Sequence, residues 1–247
     1  MINGSELLNL NDINYKIYGS AKKGTIVLLH GWGQNIEMMD MLGHPFENEY
    51  KIVILDLPGF GKSPEPERSY SVEDYARFLN SFLKKHRISN PILVGHSFGG
   101  RISIKYASMY EVSKVVLLSA PFRPGKKAKP TIRTKIFNIV KRFKFLHKLT
   151  DYLRNRWGSE DYRNATPINR GTLIKAVNED LSSNARKIKC PVFLIYGQKD
   201  TAVPVEEAKR LKVLIKDCGL YIFEDGTHYA YLEKLDETIS IMQKFFE

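Results

Sequence analysis

The chain has 247 residues, 43% of them hydrophobic and 26% charged, which is ordinary for a globular protein and enough for one large α/β domain. No run of about eighteen apolar residues exists, so no transmembrane helix is expected; the opening MINGSELLNLND lacks the basic start and apolar stretch of a signal peptide. The formal charge of +11 raises the question of nucleic-acid binding, but twelve Lys and Arg against one acid, Asp151, fall between Arg123 and Arg156, so the excess sits in one segment and the remainder is near neutral.

Taken in chain order, the Asn11–Gly19 region is expected to supply antiparallel strands. The near-continuous apolar runs Thr25–His30, Lys51–Asp56, Pro91–Gly95, Lys114–Leu118 and Val192–Tyr196 suit strands buried on both faces, and Gly219–Phe223 is a sixth. Between them lie helix candidates at Val72–His86, with Ser71 as N-cap and Asp74 in its first turn, and at Ser97–Tyr110. A final helix is expected over Tyr229–Phe246, on the spacing of Leu232, Leu235, Ile239, Met242 and Phe246. This alternation predicts a doubly wound, mostly parallel α/β sheet. From Phe122 to Ser183 strand signals stop, and Ile132, Ile136, Ile139, Val140, Phe143, Leu146 and Leu149 form one stripe among basic residues. The expected organisation is therefore a core of residues 1–121 and 184–247 carrying a basic helical cap at 122–183, inserted after the Lys114–Leu118 strand that follows the Ser97–Tyr110 helix.

Gly95-His96-Ser97-Phe98-Gly99 follows a strand and opens a helix, the context of a nucleophile elbow, in which a strained turn lifts a serine hydroxyl above the sheet. A serine needs a base, and His228 stands just after the last strand candidate. An imidazole base needs a carboxylate to fix its tautomer, and Asp200 follows the Val192–Tyr196 strand in Gly197-Gln198-Lys199-Asp200. Asp225 is a weaker substitute for that acid. Oxyanion donors are expected from the backbone amides of Trp32, in His30-Gly31-Trp32-Gly33, and of Phe98. Gly31, Trp32, Phe98, Phe122 and Trp157 are candidate pocket residues, although core packing is the simpler role for Phe122 and Trp157. Gly61-Lys62-Ser63 is not a phosphate loop, because Asp56 stands where its first glycine belongs. The six histidines show no metal-ligand spacing, so no metal or cofactor is expected; His30 and His96 read as structural. Cys190 and Cys218 read as free thiols of a cytoplasmic protein.

From HGWG through DLPGFGKS and GHSFGG to GQKD and GTHY, the chain resembles the α/β-hydrolase fold family over nearly its full length. Within it, the chain is similar to small carboxylesterases, enol-lactonases and carbon–carbon bond hydrolases. The resemblance implies Ser97, Asp200 and His228 as a triad acting on a small-molecule ester. Ser97 disfavours the members that use an aspartate nucleophile. Rival expectations are carbon–carbon bond cleavage on the same triad and a non-catalytic binding or signalling protein that retains the fold. For the basic cap, the simplest role is a solvated surface over a packed stripe. Attraction of an anionic substrate and peripheral contact with anionic membrane are the alternatives; nucleic acid is not expected as a partner.

Overall fold

The computed structural model describes residues 8–125, 161 and 164–247. Its centre is a seven-stranded sheet: β1 (Tyr15–Gly19), β2 (Thr25–Leu29), β3 (Lys51–Leu55), β4 (Ile92–His96), β5 (Lys114–Leu118), β6 (Val192–Gly197) and β7 (Cys218–Phe223). The spatial order is β1-β3-β2-β4-β5-β6-β7. Only β1 runs antiparallel, paired with β3 from Tyr15 opposite Leu55 to Gly19 opposite Lys51. The other neighbours are parallel, which requires crossovers and puts helices on both faces.

Alternate residues of each central strand serve opposite faces. Val27, Leu29, Val53, Leu55, Leu93, Val115, Leu117 and Leu194 face one core layer. Ile26, Leu28, Ile52, Ile54, Val94, Val116, Leu118 and Ile195 face the other. The first layer is covered by α2 (Val72–Lys85), α3 (Phe98–Ala107) and α6 (Val205–Leu214), through Phe78, Phe82, Ile102 and Leu211. The second is covered by α1 (Glu37–Gly43), α7 (Ala230–Glu233) and α8 (Leu235–Phe246), through Met39, Leu42, Tyr231 and Met242. The strand runs therefore lack polar alternation because both faces are dry. The last stretch is two helices, not one, broken at Lys234, whose φ of −125° and ψ of 52° leave the helical region.

Between β5 and β6, α4 (Pro167–Asn178) and the short α5 (Ser182–Ala185) are described. Helix α4 is held on the core by Ser69 Oγ donating to the Ile168 carbonyl at 2.8 Å and by the Tyr70 amide donating to Thr172 Oγ1 at 3.0 Å. The basic stripe from Ile132 to Leu149 lies outside the described residues. Among the described residues, no helix is long and apolar enough to cross a membrane, and Cys190 and Cys218 are free thiols.

Candidate active site

The carboxyl ends of β2, β4, β6 and β7 each feed a loop that carries part of one site, as open parallel sheets arrange their ligand crevices. The turn from β4 to α3 holds Ser97 at φ 48°, ψ −106°, a conformation that side chains rarely adopt and that costs about 1–3 kcal/mol. The Ser97 amide donates to the Leu118 carbonyl at 2.9 Å and the Gly99 amide to the His30 carbonyl at 3.1 Å, pinning both ends of the turn to neighbouring strands. The flanking glycines have a steric cause. A Cβ on Gly99 would sit 2.2 Å from the Leu29 carbonyl oxygen, and one on Gly95 would sit 2.5 Å from that of Gly99.

His228, after β7, donates from Nδ1 to Asp200 Oδ2 at 2.8 Å. The Asp200 side chain is fully buried. Its other oxygen accepts from the Ala202 and Val203 amides, both at 2.8 Å. Burial alone would raise the Asp200 pKa; the bond to His228 and the two amides outweigh it and hold the carboxyl below its usual range. An ionised Asp200 keeps the His228 proton on Nδ1 and leaves the Nε2 lone pair to act as a base. Asp225 is excluded from this role: it pairs with Lys199 at 2.6 Å on the surface.

Ser97, His228, Trp32 and Phe98 line a common cavity of about 880 Å³, with α4 contributing Leu173, Ala176 and Val177. Trp32 stacks edge-on against Phe98 and Phe60, at 5.3 and 4.8 Å between ring centroids. Among the described residues, no backbone or side-chain acceptor takes the Trp32 or Phe98 amide proton, so both remain available to a developing oxyanion. Two of the candidate pocket residues, Phe122 and Gly31, are absent from the cavity wall. Phe122 is 1% exposed and packs in the first core layer, the simpler of the two roles expected for it. Gly31 faces Gln34 and His96, and a Cβ there would meet His96 Nδ1 at 2.7 Å. Trp157 lies outside the described residues.

The two structural histidines hold this framework. His30 donates from Nδ1 to the Gly31 carbonyl at 2.7 Å and accepts at Nε2 from the Leu57 amide at 2.9 Å; burial lowers its pKa to about 4. His96 is lowered to about 3 by burial and by its neighbour His228. His96 meets Gln34 Oε1 through Nδ1 and the His228 carbonyl through Nε2, both at 3.1 Å. A neutral imidazole donates from only one nitrogen, so one of these contacts goes without a proton. Gln34 also accepts from the Gly31 amide at 2.8 Å, linking the Trp32 loop to the β4 end. Sequence reasoning missed Gln34, since a lone glutamine carries no motif. Among the described residues, no group of three or more His, Cys, Asp or Glu side chains is arranged to hold a metal ion.

A family model described as alpha/beta hydrolase fold matches residues 24–154, more than half the chain. AB hydrolase superfamily protein YisY of Bacillus subtilis (strain 168) is 28% identical over 246 residues, covering 89% of this chain and 90% of that protein. Lipase 1 of Psychrobacter immobilis is 26% identical, covering 94% of this chain and 79% of its own length. Among solved structures, an esterase (EaEST) from Exiguobacterium antarcticum superposes with a TM-score of 0.74 at 22% identity, covering 95% of each chain. With the sheet order, the strained serine turn and the family match in agreement, the chain belongs to the alpha/beta hydrolase fold family.

Proposed function

We propose that this chain is a serine hydrolase that cleaves a carboxylic ester, lactone or thioester through an acyl-enzyme. The observation that carries the reading is the 2.8 Å bond from His228 to a buried, amide-capped Asp200, with His228 and the strained Ser97 on one cavity. Ser97 Oγ attacks the ester carbonyl as His228 Nε2 takes its proton. The Trp32 and Phe98 amides receive the oxyanion. The intermediate expels the alcohol, protonated by His228, and leaves the acyl group on Ser97. Water, deprotonated by His228, then releases the acid and restores the serine. The relative named a lipase, aligned over 94% of this chain, supports the same class.

The test is hydrolysis of nitrophenyl esters of graded acyl length by the wild type and by Ser97→Ala, paired with fluorophosphonate labelling. Ser97→Ala is expected to lower kcat at least about a thousandfold and to abolish labelling. Equal rates in the two proteins would overturn Ser97 as nucleophile. Labelling of Ser97 without turnover of any ester would keep the nucleophile and overturn the ester as substrate.

A further inference from the structure

Among the described residues that line the Ser97 cavity, Arg101 is the one ionised side chain withdrawn from solvent, at 3% exposure. It follows Ser97 by one helical turn, its amide donating to the Ser97 carbonyl at 3.1 Å. Helical side chains lean towards the N-terminus, so the guanidinium is carried back towards the serine end of α3. Among the described residues the group donates to two main-chain carbonyls, Pro121 at 3.2 Å and Glu179 at 2.6 Å. Its Nε is buried without an acceptor. No described carboxylate lies within ion-pair distance of it: that of Glu179 turns to Lys105 at 2.8 Å, and Glu179 and Asp180 act on Arg101 only through space. The other described cavity arginines, Arg123 and Arg210, share the single carboxylate of Glu207, at 2.7 and 2.9 Å, and keep a third or more of their side-chain surface in water. The remaining acids of the wall, Asp161 and Glu206, are exposed and screened by water.

We propose that the cavity takes esters that carry a carboxylate, with the Arg101 guanidinium as its counter-ion. This deepens the ester-cleaving reading and rests on it. A buried cation that no described carboxylate touches is costly, and a planar group with three N–H protons lacking a described acceptor matches a carboxylate. The carbonyls of Pro121 and Glu179 mark where the chain leaves the core and returns to it, so Arg101 also fastens the base of the insert. A fastening role alone would not distinguish charged from neutral substrates.

The experiment compares monoethyl glutarate with ethyl hexanoate, placing the charge on the acyl side, and 4-acetoxybutyrate with pentyl acetate, placing it on the alcohol side. The quantity read is the ratio of kcat/KM, charged over neutral, which a general loss of activity does not move. The wild type is expected to favour the charged member of at least one pair by about tenfold or more. Arg101→Met should remove that preference and Arg101→Lys should keep part of it. The preference should persist at about 0.5 M NaCl, since a buried charge is weakly screened. A preference that collapses in salt, or one unchanged in Arg101→Met, would overturn the proposal. So would turnover of neutral esters by the wild type with no preference at all, which would leave the esterase reading intact. Calorimetry of glutarate binding to the wild type and Arg101→Lys provides a readout that needs neither turnover nor the methionine variant. Weaker binding to the variant is expected, and absence of glutarate binding to the wild type overturns the subsite. Glutarate binding without turnover of any ester would instead overturn the esterase reading alone.

Discussion

In the proposed reaction Asp200 acts through His228, whose Nδ1 it holds at 2.8 Å, by setting where the imidazole proton resides. Asp200→Asn keeps the shape but can turn its N–H towards Nδ1, which then accepts, so that the imidazole proton moves to Nε2 and the lone pair there is lost. We expect kcat for ester hydrolysis to fall about 10⁴-fold with KM little changed. Steady-state kinetics check this, and a loss of less than tenfold would remove Asp200 from the base's support. Gln34 is the more informative residue, because nothing in its sequence context marks it. Its side chain joins the Gly31 amide to His96, so Gln34→Ala frees the peptide that precedes Trp32. The expected fall in kcat is smaller than the roughly hundredfold cost of deleting an oxyanion donor outright. Ser97, His228 and Asp200 were legible because each ends or follows an apolar strand in a recognisable turn. The placements of Gln34 and Arg101 were not, since they depend on which loops the fold brings together.

At the level of elements, the apolar runs predicted the six parallel strands to within a residue or two at each end, because a strand buried on both faces leaves no polar interruption to misread. Helices α1 and α6 went unnoticed. Only Met39, Leu42 and Gly43 are buried in α1 and only Val205, Ala208 and Leu211 in α6, too few to set a visible period. Helix α2 was the opposite case, with seven buried residues and a complete capping box. There the Ser71 hydroxyl accepts from the Asp74 amide at 3.1 Å, and Asp74 Oδ2 accepts from the Ser71 amide at 2.7 Å. The Asp74 carboxylate also receives Arg68 at 2.9 and 3.1 Å. Ser71→Ala removes one half of the box and is expected to cost about 1 kcal/mol. Phe78→Ala, in the middle of the same helix and fully buried, should cost about 3–5 kcal/mol. Chemical denaturation orders the two variants, and the reverse order would mean that the cap rather than the packed face holds α2 to the sheet.

The whole molecule has an acid weakness built into its site. His30 and His96 are held neutral with pKa values of about 4 and about 3, against an ordinary value near 6.5, chiefly by burial. Protonating His30 would break its acceptance from the Leu57 amide, and charging His96 would place a cation 4.9 Å from the ring of His228. A histidine whose folded pKa lies below its unfolded value binds fewer protons in the folded state. Its stability contribution is therefore complete above about pH 6.5 and is lost as the pH falls towards the folded value. Near pH 5 both rings are neutral when folded and charged when unfolded, so unfolding takes up close to two protons and stability should fall by about 2.7 kcal/mol per pH unit. The Asp200 carboxylate, held below its usual range, adds to the loss only at lower pH. Denaturant midpoints at pH 7, 6 and 5 measure the slope, and a flat profile over that range would mean that neither ring is kept neutral by the fold. The loops that His30 and His96 secure carry Trp32 and His228. Activity and stability should therefore decline together on the acid side, because the same two imidazoles that position the site are the ones that acid forces out of the core.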